Sequence, residues 1–145
     1  MTQQTTGSTW NHAGLRIYGE AVVPEEIEKS LGLRATRMHV KGQVRRDSVG
    51  RWNNSLWLFE SPLDKVLGLN DHLAWLLDVL EPKIPVLKAI SQSHRVDLFC
   101  GFCSSSGQGG FALDSSTLAR LGSLGVPLVL DLYPPAAAED MAEGL

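Results

Sequence analysis

The chain has 145 residues, of which 43% are hydrophobic and 20% charged, and its formal net charge is −3. This length and composition predict one soluble globular domain with a single core. The small negative charge argues against a nucleic-acid binder, which usually carries a strongly basic face. No apolar stretch approaches a membrane span and residues 1–30 lack a signal-peptide pattern, so we expect a cytoplasmic protein with no membrane partner.

The chain begins with a polar stretch and then a strand and a helix. Residues 1–13 are rich in Thr, Gln, Ser and Gly, and we interpret them as a mobile arm before a single domain at residues 14–133. Residues 15–22 alternate between apolar and polar side chains, which predicts a half-buried strand. A short helix follows, because Pro24 suits its first turn and Gly32 suits its end.

Residues 34–51 are the most basic part of the chain, and their pattern predicts a strand that runs into a loop. The simplest interpretation is an edge strand protected by charge, and the alternative is a contact with an acidic partner or a phosphate. Residues 54–61 are apolar on both faces, which predicts a strand inside the sheet. The basic-loop candidates for a partner contact are Arg37, Lys41, Arg45 and Arg46.

Two helical segments follow at residues 69–90, and the halves of the chain are arranged around them. Asn70 is a candidate cap for the first segment, Pro82 ends it, and Pro85 suits the first turn of the second segment. A stripe of leucines on the first segment predicts the face that it buries. These residues are Leu69, Leu73, Leu76, Leu77 and Leu80.

The second half of the chain repeats the plan of strand, helix and strand. Residues 95–103 alternate as a strand does, and a Ser/Gly-rich loop at 104–110 leads to a short strand predicted at 111–113. Asp114 then caps a helix whose apolar residues are Leu118, Leu121 and Leu124. The last strand is predicted at 126–133, and residues 134–145 form a tail that we expect to be disordered.

This order of elements predicts an α+β fold. The simplest packing is a ferredoxin-like two-layer sandwich, in which helices cover one face of a mixed, mostly antiparallel sheet. The first and last strand-helix-strand units share a plan, which is consistent with an internal duplication.

Several turn and packing signals together resemble a known family. The matching segments are Leu15–Gly19, Pro24-Glu25-Glu26-Ile27 with Leu31-Gly32-Leu33, Lys41-Gly42, Trp52 with Leu56-Trp57, His72-Leu73 with Leu76-Leu77 and Leu80, and Leu118–Leu121 leading to Asp131-Leu132-Tyr133. They cover most of residues 15–133 and resemble the bacterial family called domain of unknown function 4279. The resemblance implies a small, standalone bacterial protein without an established activity. Some such small bacterial domains are immunity proteins that inhibit toxins by binding, which is an analogy here.

The sequence offers little support for a catalytic or metal-binding site. Cys100 and Cys103 have the spacing of a redox pair, but they lie in a predicted strand, where residues three apart face opposite sides. The four histidines are scattered, and the glycine-rich 107–110 segment precedes a predicted strand instead of a helix. The nucleophile-elbow, Walker A and zinc-protease motifs are all missing from the sequence. We therefore expect no metal and no cofactor.

Aromatic side chains are the main candidate binding residues. If the Leu, Ile and Val faces of the strands meet the helices, the opposite face presents Tyr18, Trp57, Phe59, Phe99, Val129 and Tyr133. Either the arm, the tail, a loop or a homodimer partner covers this face, or it is open and marks a binding site. Trp75 lies opposite the leucine stripe and either packs under the second helical segment or forms a second binding point.

These patterns predict a noncatalytic binding protein, of an immunity-like or regulatory kind, that sequesters a protein partner through the aromatic sheet face. Nucleic acid is a poor fit, because Asp97 and Asp131 on that face would repel phosphates. The alternative is a small-molecule-binding domain or an enzyme whose active-site residues are dispersed along the chain.

Overall fold

The computed structural model describes residues 9–46 and 49–135. They form an α+β fold in which a five-stranded sheet is packed against helices. The strands are β1 (Thr9–Gly19), β2 (Arg37–His39), β3 (Ser55–Glu60), β4 (Arg95–Ser104) and β5 (Leu128–Tyr133). The helices are α1 (Pro24–Leu31), α2 (Leu69–Leu80), α3 (Ile84–Ser91) and α4 (Ser115–Leu124), and a 3-10 turn at Glu81–Lys83 joins α2 to α3.

The sheet has the order β2-β3-β1-β4-β5 and is mixed, as predicted. β1 is antiparallel to both β3 and β4, β2 is antiparallel to β3, and β5 is parallel to β4. The two strand-helix-strand units differ in pairing, because β4 and β5 are neighbours whereas β3 lies between β1 and β2. The ferredoxin-like description stays an interpretation of this topology.

The core lies between one face of the sheet and the helices. Ala13, Leu15 and Ile17 of β1 are fully buried, and α2 packs on this strand. α1 contacts β3, α3 contacts β4, and α4 packs on α2. The predicted leucine stripe of α2 is confirmed as buried core. Within the described residues, no helix combines the length and the apolar character needed to cross a membrane.

The helix ends follow their local sequence signals in most cases. α1 begins at Pro24, and Gly32 ends it in a left-handed conformation with φ of 67°. Asp114 caps α4 by accepting a hydrogen bond from the Thr117 amide at 2.7 Å. Asn70 is an exception, because Gly68 is the N-cap of α2 and the Asn70 side chain instead accepts a hydrogen bond from the Asp114 amide at 3.1 Å.

Two local predictions are wrong. Residues 9–13, assigned to the arm, belong to β1, because their backbone pairs with β4. Residues 111–113 are not a strand; the Phe111 ring instead packs on Phe102 with their centroids 5.5 Å apart. Of the apolar residues of α4, Leu124 is buried and Leu118 is 55% exposed. The predicted tail at 134–145 and residues 1–8 of the predicted arm fall mainly outside the described residues.

The predicted placement of Trp57 and Phe59 on the face opposite the helices is also wrong. Trp57 pairs with Ile17 and Phe59 with Leu15, so both rings point toward the helices. Trp57 is fully buried, and the Phe59 ring stacks between Trp57 and Trp75, with centroids 6.1 Å and 5.8 Å away. Trp75 on α2 is therefore half-buried against Phe59 and belongs to the packing of the core.

Replacement of Trp57 tests this placement. We expect Trp57→Ala to lower the free energy of unfolding by about 3–5 kcal/mol, because it empties a large part of the core. Trp57→Phe should cost less, since it also removes the buried indole N–H, which has no hydrogen-bond acceptor among the described residues. Urea denaturation measures both values. Leu132→Ala is the control, because Leu132 is 68% exposed; a Trp57→Ala variant as stable as this control would contradict the placement.

Candidate functional site

The face of the sheet opposite the helices is called here the open face. Side chains alternate along β1, so the residues between Ala13, Leu15 and Ile17 point to this face. The pairing of the strands adds residues of β3, β4 and β5 to it. Its main side chains are Trp10, His12, Arg16, Tyr18, Leu58, Glu60, Asp97, Phe99, Asp131 and Tyr133.

The centre of the open face is a ridge around Arg16. Its guanidinium donates two hydrogen bonds to Asp97, from Nε to Oδ1 at 3.0 Å and from Nη2 to Oδ2 at 2.7 Å. The same guanidinium lies over the Tyr18 ring at 4.6 Å and over the Phe99 ring at 4.3 Å. Two hydrogen bonds and two ring contacts hold this side chain in place, so the ridge is rigid before any ligand binds.

A first cavity, the arginine cavity, lies beside the C-terminal half of β1 and has a volume of about 330 Å³. The long connection between β2 and β3 forms its outer wall. Its lining includes Arg16, Tyr18, His39, Arg45, Arg51 and Trp52. The Trp52 ring stacks on the His39 ring with their centroids 3.7 Å apart. The Arg45 guanidinium also lies over the Trp52 ring, 4.7 Å from its centroid. The cavity is therefore cationic and aromatic.

A second cavity, the histidine cavity, lies beside the N-terminal half of β1 and has a volume of about 200 Å³. The connection between β3 and α2 forms one wall, because the Asn11 amide donates to the Lys65 carbonyl at 2.8 Å and the Lys65 ammonium lies over the Trp10 ring. Buried His72 holds that connection through Ser61 Oγ, 2.9 Å from its Nδ1. The cavity is lined by Trp10, His12, Glu60, Lys65, Phe99 and Tyr133.

The polar groups of the histidine cavity are only partly satisfied. His12 Nδ1 lies 3.7 Å from Glu60 Oε2, and neither this nitrogen nor Trp10 Nε1 has a hydrogen-bond partner among the described residues. Burial lowers the pKa of His12, and the Glu60 carboxylate opposes this shift. Burial raises the pKa of Tyr133 to about 12, and a hydrogen bond with Asp131 contributes. At neutral pH the cavity therefore holds a neutral imidazole and a protonated phenol.

Two glycines make room for the side chains of the histidine cavity. A Cβ at Gly101 would overlap the His12 ring, which lies directly across from it on β1. A Cβ at Gly14 would lie 3.1 Å from Glu60 Cγ and 3.1 Å from the Phe59 carbonyl oxygen. The flat surface at these positions lets His12 and Glu60 lie close to the sheet.

The predicted binding residues lie on two different sides of the sheet. Tyr18, Phe99 and Tyr133 lie on the open face, whereas Trp57, Phe59 and Trp75 lie on the side of the helices. Of the basic-loop residues, Arg45 lines the arginine cavity and Arg37 lines the histidine cavity. Lys41 pairs with Glu20 at 3.4 Å, and Arg46 is exposed outside both cavities.

Several lining residues were missed by the sequence interpretation. The composition of residues 1–13 predicts an arm that includes Trp10 and His12, although Trp10, His12 and Gly14 continue the alternation of the strand that follows. Glu60, His39 and Trp52 carry no local signal, because they meet the other lining residues through the pairing of the strands and the fold of the β2–β3 connection.

The two cysteines do not form a redox pair. They are free and buried, and they point to opposite faces of β4, as predicted. Burial raises the pKa of the Cys100 thiol to about 12, which suppresses the reactive thiolate. In the described ranges, no three side chains of His, Cys, Asp or Glu form a group able to hold a metal ion.

Gly101→Ala tests the geometry of the histidine cavity. We expect the His12 ring to leave its position and to meet more water, which raises its pKa toward the ordinary value of about 6.5. The crowding should also lower the free energy of unfolding by about 1–3 kcal/mol. NMR titration of the imidazole and thermal unfolding measure the two effects. Gly110→Ala is the control, since nothing lies within 4 Å of a Cβ there; equal His12 pKa values in both variants would refute this geometry.

Comparison with protein families gives a single assignment. A family model described as domain of unknown function (DUF4279) matches residues 8–135, which include every element of the fold and both cavities. No curated protein and no solved structure matches the chain. Because the match spans most of the sequence, the chain belongs to the DUF4279 family.

Proposed function

We propose that this protein is a noncatalytic binding protein that sequesters a protein partner through its open face. The observation that supports this most is the uncovered layer of the sheet, where Tyr18, Phe99 and Tyr133 are half-exposed and no helix of the described ranges packs over them. Aromatic side chains with a polar surround are typical of protein interfaces. We propose that it sequesters this partner in an immunity-like or regulatory role.

The rigidity of the ridge supports a binding role. Arg16 is held by Asp97 and by two aromatic rings, so little side-chain entropy remains to be lost when a partner covers it. The ridge also fixes Tyr18 and Phe99 as two aromatic contact points on either side of one guanidinium. A surface of this kind is pre-organised for a complementary protein.

A protein partner fits the charges better than nucleic acid does. Asp97, Glu60 and Asp131 place three carboxylates on the open face. A phosphate backbone would be repelled by them, and the chain as a whole carries a net charge of −3. A protein surface can offer both signs of charge and apolar groups in one interface.

Capture from the lysate of the organism of origin tests this proposal when it is combined with variants. The tagged wild-type chain should retain a stoichiometric protein partner, while Tyr18→Ala and Phe99→Ala should each weaken retention by about tenfold or more. Native mass spectrometry identifies the complex and its stoichiometry, including a homodimer.

The matched control for this capture is Leu118→Ala, because Leu118 is exposed on α4, away from the open face. It should retain the partner like the wild type. The proposal fails if folded Tyr18→Ala and Phe99→Ala variants retain the partner fully, or if the wild type is recovered as an unaccompanied monomer.

The histidine cavity favours a second candidate function, a small-molecule-binding domain or an enzyme with dispersed residues. Its unpartnered His12 Nδ1 and Trp10 Nε1 beside Glu60 are donors and acceptors of the kind that orient a small ligand.

This second function predicts a small molecule that survives purification. Native mass spectrometry should show the bound mass in the wild type and its loss in His12→Ala. His94→Ala is the control, because His94 does not line the cavity. A wild-type spectrum with no added mass, under conditions that keep the protein folded, counts against this candidate.

A further inference from the structure

The arginine cavity carries positive charge that the described protein does not neutralise. Arg16 is paired with Asp97, and Lys41 outside the cavity is paired with Glu20. Arg45 and Arg51 form no ion pair with any residue in the described ranges, and none of the described residues that line the cavity carries a carboxylate. Two guanidinium groups are therefore left to attract an anion.

The hairpin between β2 and β3 holds these cations in place. The Gly42 amide donates to the Trp52 carbonyl at 2.8 Å, and the Trp52 amide donates to the Gln43 carbonyl at 2.9 Å. Arg51 Nη1 donates to the Gly42 carbonyl at 2.7 Å, and its other guanidinium N–H groups donate to no described residue, so they can reach a ligand. The position of Arg45 is fixed by the Trp52 ring, which is itself stacked on His39.

We propose that the arginine cavity binds a carboxylate side chain, Asp or Glu, on an acidic segment of the protein partner. This inference rests on the proposed function, because the segment belongs to the partner that covers the open face. A partner that covered Arg45 and Arg51 without an anion would strip them of water and leave two unpaired charges. Charge complementarity therefore specifies the partner's side chain at this end of the face.

The rest of the lining favours a peptide over a free inorganic anion. Trp52, Tyr18 and Leu56 add aromatic and apolar surface to the cavity. Such surface suits the side-chain methylenes and the apolar neighbours of a carboxylate in a polypeptide. Inorganic phosphate would use the guanidinium groups alone.

A defined peptide pair tests the proposal. The probe is an N-acetylated, C-amidated Gly-Glu-Leu-Glu-Gly peptide, and its control is the matching Gly-Gln-Leu-Gln-Gly peptide. NMR titration of the Trp52 indole N–H should show saturable binding of the Glu peptide, while the Gln peptide binds at least about tenfold more weakly. Added inorganic phosphate should compete poorly with the Glu peptide.

Charge-neutral variants locate the binding to the cavity. Arg45→Gln and Arg51→Gln should each weaken binding of the Glu peptide by about tenfold or more. Arg46→Gln is the matched control, because it removes the same charge from the same connection but does not line the cavity. It should bind the Glu peptide nearly as the wild type does.

Three results would overturn the proposal: equal binding of the two peptides, an Arg46→Gln effect as large as that of Arg45→Gln, or inorganic phosphate binding as tightly as the Glu peptide.

The capture experiment separates this inference from the proposed function. If Phe99→Ala no longer retains the partner but Arg45→Gln still does, the proposed function stands and the carboxylate site is refuted. A chain that captures no partner but binds the Glu peptide at Arg45 refutes only the proposed function.

Discussion

The alternation of side chains along β1 is the constraint on which the rest of the structure depends. Ala13, Leu15 and Ile17 fill the core, so Arg16 and Tyr18 must face away from the helices. A slip of one residue would bury an arginine and expose the core residues, which pins the strand in one orientation. Because β1 is the central strand, its neighbours take their orientation from it: Trp57 opposes Ile17, and Asp97 opposes Arg16.

This dependence explains which parts of the fold were predictable from the sequence. The ends of α1 and α4 follow local chemistry at Pro24, Gly32 and Asp114, and the sequence indicates them directly. β3 is different, because it is apolar on both sides and its own pattern does not tell which side meets the helices. That choice is made by pairing with β1, a contact between residues about forty positions apart in the chain. For this reason the sequence pattern predicts the wrong face for Trp57 and Phe59.

The candidate site was less predictable than the fold, because its parts come from separate segments. The sequence indicated Tyr18, Phe99 and Tyr133, whose alternation in strands is local. It did not indicate that the β2–β3 connection would fold back to place Trp52 on His39, or that the β3–α2 connection would bring Lys65 onto Trp10. The start of β1 could not be predicted from composition. The residues around Trp10 and His12 are mostly polar, which is typical of a loop, and only their pairing in the sheet shows that they form a strand.

The distribution of charge on the open face follows from geometry and not from composition. The net charge of −3 gives no hint of a cationic surface, yet Arg45 and Arg51 at one end form no ion pair with any described residue. The other end mixes charges, since Glu60 lies beside His12 and contacts Arg37. A partner with an acidic segment, as proposed above, would be favoured in the orientation that places this segment at the cationic end. The Arg16 ridge lies between these two ends, so the strand whose alternate residues fill the core also carries the centre of the open face.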